Sequence, residues 1–212
     1  EEIEIRLSDF ERKCLTRAYN TSMQKQCAKK TDEELVALAL SDVDYFECIV
    51  LRYQEKLDRY IKFISNLSTF DREDVLQNVF IKVYAALNSF DGDLKFSSWV
   101  YRICRNEVVS FVRHLKVGAQ GMCADCDDET IAEIASDFDL MGHIDKKILK
   151  QKVLSALASL SIKYRDVLTL FFIEGYDYNE ISDILKKSIG TVSTLLHRAK
   201  KEFKNSINKH DI

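Results

Sequence analysis

The segment from Phe90 to Arg113 sets aromatic rings among cations and amides in a pattern suited to nucleic acid. Phe90, Phe96, Trp99 and Tyr101 are interleaved with Lys95, Arg102, Arg105 and Asn106. An unpaired strand needs such a mixture: a base stacked on a ring contributes about 1–3 kcal/mol, and neighbouring cations neutralise its phosphate. A base drawn from its stack also needs polar groups to read its edge, and Asn106 or Ser98 could serve. The competing reading makes Phe96, Trp99 and Ile103 the core face of a helix. A second stretch, residues 186–204, holds six Lys/Arg against one Glu. It interleaves Ser188, Thr191, Ser193, Thr194 and His197 with Arg198, Lys200 and Lys201. No positioned general base, nucleophile pair or phosphate loop accompanies either stretch, so the expectation is a binding protein, not an enzyme, with no cofactor.

The elements that must carry these residues are helical. Residues 164–173 have an apolar helical face, and Glu174-Gly175-Tyr176 supplies a turn with a glycine where helices commonly end. Asp177 and Glu180 have capping-box spacing and open a helix over Tyr178–Leu185. Ser188 caps a third, basic helix. Helix, tight turn and basic helix form the layout of a helix-turn-helix, whose last helix lies in the DNA major groove. Upstream, Thr31 with Glu34 starts a short helix over 32–40. Apolar residues then recur at three- and four-residue steps over 41–65 and 71–88. A turn at Asp91-Gly92-Asp93 precedes a helix from Lys95 or Phe96 to about His114. Periodicity resumes from residue 145 through Val153, Leu157 and Leu160. No alternating strand pattern competes, so the fold class is all-α: two small helical domains, 31–116 and 148–212, joined by a flexible acidic linker, 117–147. Residues 1–30 are an extension without an assigned role.

The net charge of −3 conceals this segregation. Residues 117–145 contain eight Asp/Glu and no Lys or Arg, whereas 95–116 contain five Lys/Arg against one Glu. Two basic patches separated by an acidic connector matter more for binding than the average. The absence of proline permits long helices. No apolar run approaches the roughly 20 residues that span a bilayer, and no signal-peptide pattern opens the chain. The expectation is a cytoplasmic protein without membrane contact. In a reducing cytosol most of the six cysteines are expected to be small hydrophobes. Cys123-x-x-Cys126 has spacing for a metal or redox pair, or is simply two thiols in an acidic loop. His114, His143, His197 and His210 show no ligand spacing.

Several motifs in order resemble bacterial sigma factors, most nearly the small, two-domain extracytoplasmic-function group. They are Thr31-Asp32-Glu33-Glu34-Leu35-Val36, Asp74-Val75-Leu76-Gln77-Asn78-Val79-Phe80, Phe96-Ser97-Ser98-Trp99-Val100-Tyr101-Arg102-Ile103-Cys104-Arg105-Asn106, and Glu174-Gly175 followed by Ile189-Gly190-Thr191-Val192. The resemblance implies a first domain like sigma region 2. That domain would grip the clamp helices of the largest subunit of core RNA polymerase through Asp74, Gln77 and Asn78, and melt the minus-ten promoter element. Phe90 and then Asn106 would hold a flipped base, with Trp99, Tyr101, Arg102 and Arg105 along the melted strand. Arg113, His114 and Lys116 would track phosphates. The second domain would resemble region 4, rest on the flap of the second-largest subunit, and read the minus-thirty-five element through Ser188, Thr191, Ser193, Thr194, His197 and Arg198. The acidic linker would thread the channel where RNA will go, and an anti-sigma factor is among the partners the family implies. One departure is Ser193-Thr194-Leu195, where members often carry basic residues, which implies weaker or differently specified upstream binding. The alternative function is a stand-alone helix-turn-helix transcription regulator that binds duplex DNA and never docks on polymerase.

Overall fold

The structure, a computed structural model, describes residues 27–90, 92–115 and 146–209, and every regular element among them is helical. Helix α1, Asp32–Ser41, begins at the expected capping box: Thr31 Oγ1 accepts from the Glu34 amide, and Glu34 Oε2 accepts from the Thr31 amide at 2.8 Å. The helix expected over 41–65 is broken near its start. Asp42 takes an extended conformation and its carboxylate caps Asp44, so a 3₁₀ turn, Val43–Tyr45, precedes α2, Phe46–Ile64. Local side-chain bonding of this kind competes with helix continuation. Helix α3, Thr69–Ala86, is capped by Ser68 and starts two residues ahead of the apolar pattern. Gly92, at φ +79°, turns the chain into α4, Phe96–Leu115.

These four helices close over Leu57, Ile61, Val75, Val79, Val83, Val100 and Val108, all without exposure. Cys27 and Cys48 depart from the expectation for cysteines: they are joined by a disulfide inside this core, with Cα atoms 5.3 Å apart. Their 21-residue separation carries no framework signature, so only the folded backbone reveals the pairing. Cys104 is the buried small hydrophobe the sequence suggested, and burial pushes its thiol pKa well up. Cys123, Cys126, His143 and His210 lie outside the described residues.

The second domain comprises α5, Lys146–Ser159; α6, Ile162–Leu168; α7, Tyr178–Leu185; and α8, Ile189–Lys209. The helix expected over 164–173 ends as a π turn, Thr169–Ile173, in which the Glu174 amide reaches back to the Thr169 carbonyl at 3.0 Å. Gly175, at φ +71°, then reverses the chain into the Asp177–Glu180 capping box that opens α7. Val153, Val167, Leu170, Ile181, Val192 and Phe203 are fully buried and form the core. The domains also meet directly, which a tether alone does not predict. Helix α7 packs across α4, and α2 packs on α6 and the π turn.

Candidate nucleic-acid interface

The aromatic set on α4 is not an open ledge here. Phe96, Trp99 and Tyr101 retain 1%, 8% and 1% of their exposure. Phe90 lies edge-on to Phe96, with centroids 5.2 Å apart, and 5.4 Å from Trp99. The reading of Phe96 and Trp99 as a core face therefore describes this arrangement. Their spacing of three places them on the same stripe as Val100 and Cys104, which faces α2 and α3. Ser98 is likewise buried, while Asn106 is exposed, so Asn106 is the polar candidate that faces outward. Arg102 is half-buried, and Lys95 and Arg113 are exposed.

Several of these groups are engaged by the second domain. Arg105 Nε donates to Asp166 Oδ2 at 2.5 Å, and Tyr60 donates its hydroxyl to Asp166 Oδ1 at 2.6 Å. Arg59 donates from Nε and Nη2 to the two oxygens of Glu174, each at 3.1 Å, and the Tyr101 hydroxyl donates to the same carboxylate. Lys95 pairs with Glu180 at 2.8 Å, and Arg165 reaches back to Asn66 at 2.7 Å. Tyr176 adds an edge contact to Tyr101, and beside it a polar cleft of about 300 Å³ runs between Arg59 and Glu180. Burial pushes the Asp166 carboxyl above its ordinary value, against the opposing pull of Arg105. Burial and the adjacent Asp166 and Glu174 carboxylates hold the Tyr60 and Tyr101 phenols protonated well beyond their usual range. Sequence reasoning assigned no site role to Arg59, Tyr60 or Asp166, and named Glu174 only in a turn and motif and Glu180 only as a cap partner. The available signal was the Arg165-Asp166 pair opening a helical run that is otherwise mostly apolar.

Helix α8 is different. Ser188, just before α8, and Thr191, Ser193, Thr194, His197, Arg198 and Lys201 on it are all exposed. Ser188 Oγ caps the Thr191 amide at 3.3 Å, as its position before the helix requires. Val192, Leu196, Ala199 and Phe203 form the opposite, buried stripe. Lys200 departs from the set expected to face DNA by leaning over the rings of Phe172 and Phe171, 4.7 and 5.4 Å from their centroids. On α3, Gln77 and Asn78 are exposed and Asp74 half-buried, off the buried Val75, Val79 and Val83 stripe.

Two family models match along this architecture: Sigma-70 region 2 over residues 49–117 and Sigma-70 region 4 over residues 150–203. The ECF RNA polymerase sigma-E factor of Escherichia coli K12 is 31% identical over 188 residues, spanning 84% of this chain and 94% of the relative. The chain belongs to the sigma-70 family. Its relatives place it in the extracytoplasmic-function group, since the sigma-E factor of Haemophilus influenzae is also 30% identical over 192 residues and 95% of its length. Two solved structures share the sigma factor's fold at 21% identity. RpoE, in complex with the anti-sigma factor NepR from Bartonella quintana, has a TM-score of 0.59 over 77% of this chain and 96% of that one. CnrH, in complex with the cytosolic domain of CnrY, has a TM-score of 0.60 over 84% and 97%. Among the described residues no helix is long and apolar enough to cross a membrane.

Proposed function

We propose that this sigma factor docks on core RNA polymerase in the cytoplasm, recognises and melts promoter DNA, and so directs initiation without covalent chemistry or a cofactor. The observation that carries this reading is the division of α3. Its valines are sealed in the core while Gln77 and Asn78 stand in solvent, one helix away from the aromatic-cationic α4. A stand-alone regulator would need only the second domain. Asp74, Gln77 and Asn78 meet the clamp helices, and the second domain rests on the flap. Asn106 receives an extruded base, and Lys95, Arg102, Arg105 and Arg113 follow the strand. Unstacking a base costs a few kcal/mol, and stacking and phosphate contacts made by the opened strand offset it. The exposed polar face of α8 reads the upstream element. One solved relative is held by an anti-sigma factor, and an inhibitor of that kind is the partner we assign to the free protein.

The test is initiation in vitro with purified core polymerase on double-stranded and artificially pre-melted promoters. Asn106→Ala should impair opening of the duplex while largely sparing the pre-melted template. Asp74→Ala with Gln77→Ala should weaken association with polymerase while leaving the protein folded. Equal losses on both templates remove the melting role, and unchanged pull-down affinity removes the docking face.

A further inference from the structure

The Cys27–Cys48 pair sits at the root of the elements that set Phe90 and Phe96. Cys27 precedes α1 and Cys48 lies in the first turn of α2, so their bond closes the chain around α1. Arg52, one turn further along α2, holds the same junction. Its guanidinium donates to the carbonyls of Cys27 and Lys30 at 2.6 and 2.7 Å, and to Asp32 Oδ1 at 2.7 Å. The second oxygen of Asp32 accepts the Tyr53 hydroxyl at 2.6 Å. The Tyr53 ring in turn stands edge-on to Phe96, 5.8 Å away, at the start of α4. Helix α1 packs on α2, on α4 and on the 3₁₀ turn Leu87–Ser89 that leads into Phe90. It is therefore a brace behind the aromatic cluster, and the sulfurs fasten one end of it.

Two features suit this bond to opening and closing. Arg52 ties the Cys27 backbone to α2 without help from sulfur, so breaking the disulfide leaves both thiols beside each other in a folded domain. The Cα separation of 5.3 Å is one that a disulfide spans, so re-closure needs no movement of the backbone. A protein that works in the cytoplasm meets dithiol reductants, and disulfides there are usually transient or redox-sensing.

We propose that Cys27 and Cys48 form a reversible oxidation site for peroxide, and that closing it stiffens the α1 brace and raises promoter opening. One thiolate attacks a peroxide oxygen, which gives a sulfenic acid and releases hydroxide. The second thiolate then displaces hydroxide from the sulfenic sulfur and the S–S bond forms. The two thiol protons convert both hydroxides to water, so two thiols and one hydrogen peroxide yield a disulfide and two waters. A dithiol reductant reverses the step by exchange: it is oxidised to its own disulfide, and its two protons pass to Cys27 and Cys48. The effect on opening rests on the assignment of Phe90 and α4 to the melted strand. What is added is an input, the oxidation state of two cysteines that touch no DNA.

The test uses the full chain, either reduced with dithiothreitol or reduced and then re-oxidised with hydrogen peroxide. Each sample is freed of reagent before core polymerase is added. Alkylation and peptide mass should find Cys27 and Cys48 free in the first sample and joined in the second, with both samples folded. The oxidised protein should initiate about fivefold better on a duplex promoter, a modest coupling between sites, and almost equally on a pre-melted one. Cys27→Ser and Cys48→Ser should each hold initiation at the reduced level after either treatment, whereas Cys123→Ser with Cys126→Ser should keep the response. A disulfide that dithiothreitol opens only by unfolding the protein overturns the proposal, as does a response that survives in Cys27→Ser. Equal losses on duplex and pre-melted promoters also overturn it, since a first domain that merely unfolds on reduction gives that result. No initiation by either form on either template removes the sigma role itself. Initiation that ignores the state of the pair removes only the switch.

Discussion

Helices α4 and α8 are the two elements proposed to face DNA in this sigma factor, and the chain treats them oppositely. Helix α8 puts its polar row in solvent and buries Val192, Leu196, Ala199, Phe203 and Ile207 behind it. Helix α4 buries Phe96, Trp99 and Tyr101, and Tyr101, Arg105 and the preceding Lys95 are paired with residues of the other domain. The difference fits what each is proposed to bind. A major-groove reader meets DNA as it stands, so an exposed helix face is ready without rearrangement. A strand-melting surface has no partner until a duplex opens. Left bare, it would be an apolar and cationic patch prone to unspecific contacts.

The largest expected contrast comes from truncating one residue on each helix. Trp99→Ala removes a ring packed between Phe90 and Phe96 and should cost about 3–5 kcal/mol of stability. Arg198→Ala on the exposed face should change stability by no more than about 0.5 kcal/mol. It should nevertheless weaken binding to duplex carrying the upstream element by about 1–3 kcal/mol if the guanidinium reads a base. Denaturant unfolding alongside duplex titration checks both. A Trp99→Ala protein of wild-type stability that fails to open promoters would show that the indole belongs to the DNA surface and not to the core.

Next in size is the disulfide, which only the first domain possesses among the described residues. Cross-linking a loop of about 20 residues contributes about 3 kcal/mol by limiting the unfolded chain. Reductant should therefore lower the unfolding transition of the α1–α4 domain and leave that of α5–α8 in place. Calorimetry with and without reductant separates the two, and a first-domain transition that does not move would mean the pair adds nothing to stability. In a reducing cytoplasm, disulfides are usually transient or redox-sensing, so this contribution would come and go with the state of the pair.

The helices and both capping boxes were legible because their signals are local. Thr31 with Glu34 and Asp177 with Glu180 specify bonds three residues apart, and the valines of α3 specify a buried stripe by spacing alone. The exposed row on α8 followed for the same reason. What was not legible is long-range. Cys27 and Cys48, or Asp166 with Tyr60 and Arg105, are brought together by packing between elements. Tyr101 and Trp99 illustrate the remaining ambiguity. An aromatic residue beside cations has the same composition whether the ring stacks on a base or on a neighbouring helix.

The smallest effect concerns the two turns around α7, which sharpen the same contrast between a covered and an exposed surface. Gly175 adopts its left-handed conformation at the covered side, where a residue without a Cβ takes it at no steric cost. At the other end Lys186 holds φ +50° at the helix terminus, next to the exposed basic helix. A left-handed residue with a side chain costs about 1–2 kcal/mol, partly offset because glycine would loosen the unfolded chain. Lys186→Gly should therefore raise stability by somewhat less than about 1 kcal/mol. Strain kept at such a position points to a use for the side chain, and the use we expect is a phosphate contact. The variant should then bind duplex more weakly, and the slope of log affinity against log salt should become shallower by about 0.9. A more stable variant with an unchanged slope would confine the phosphate contacts to α8 itself and leave the strain at Lys186 without a binding role.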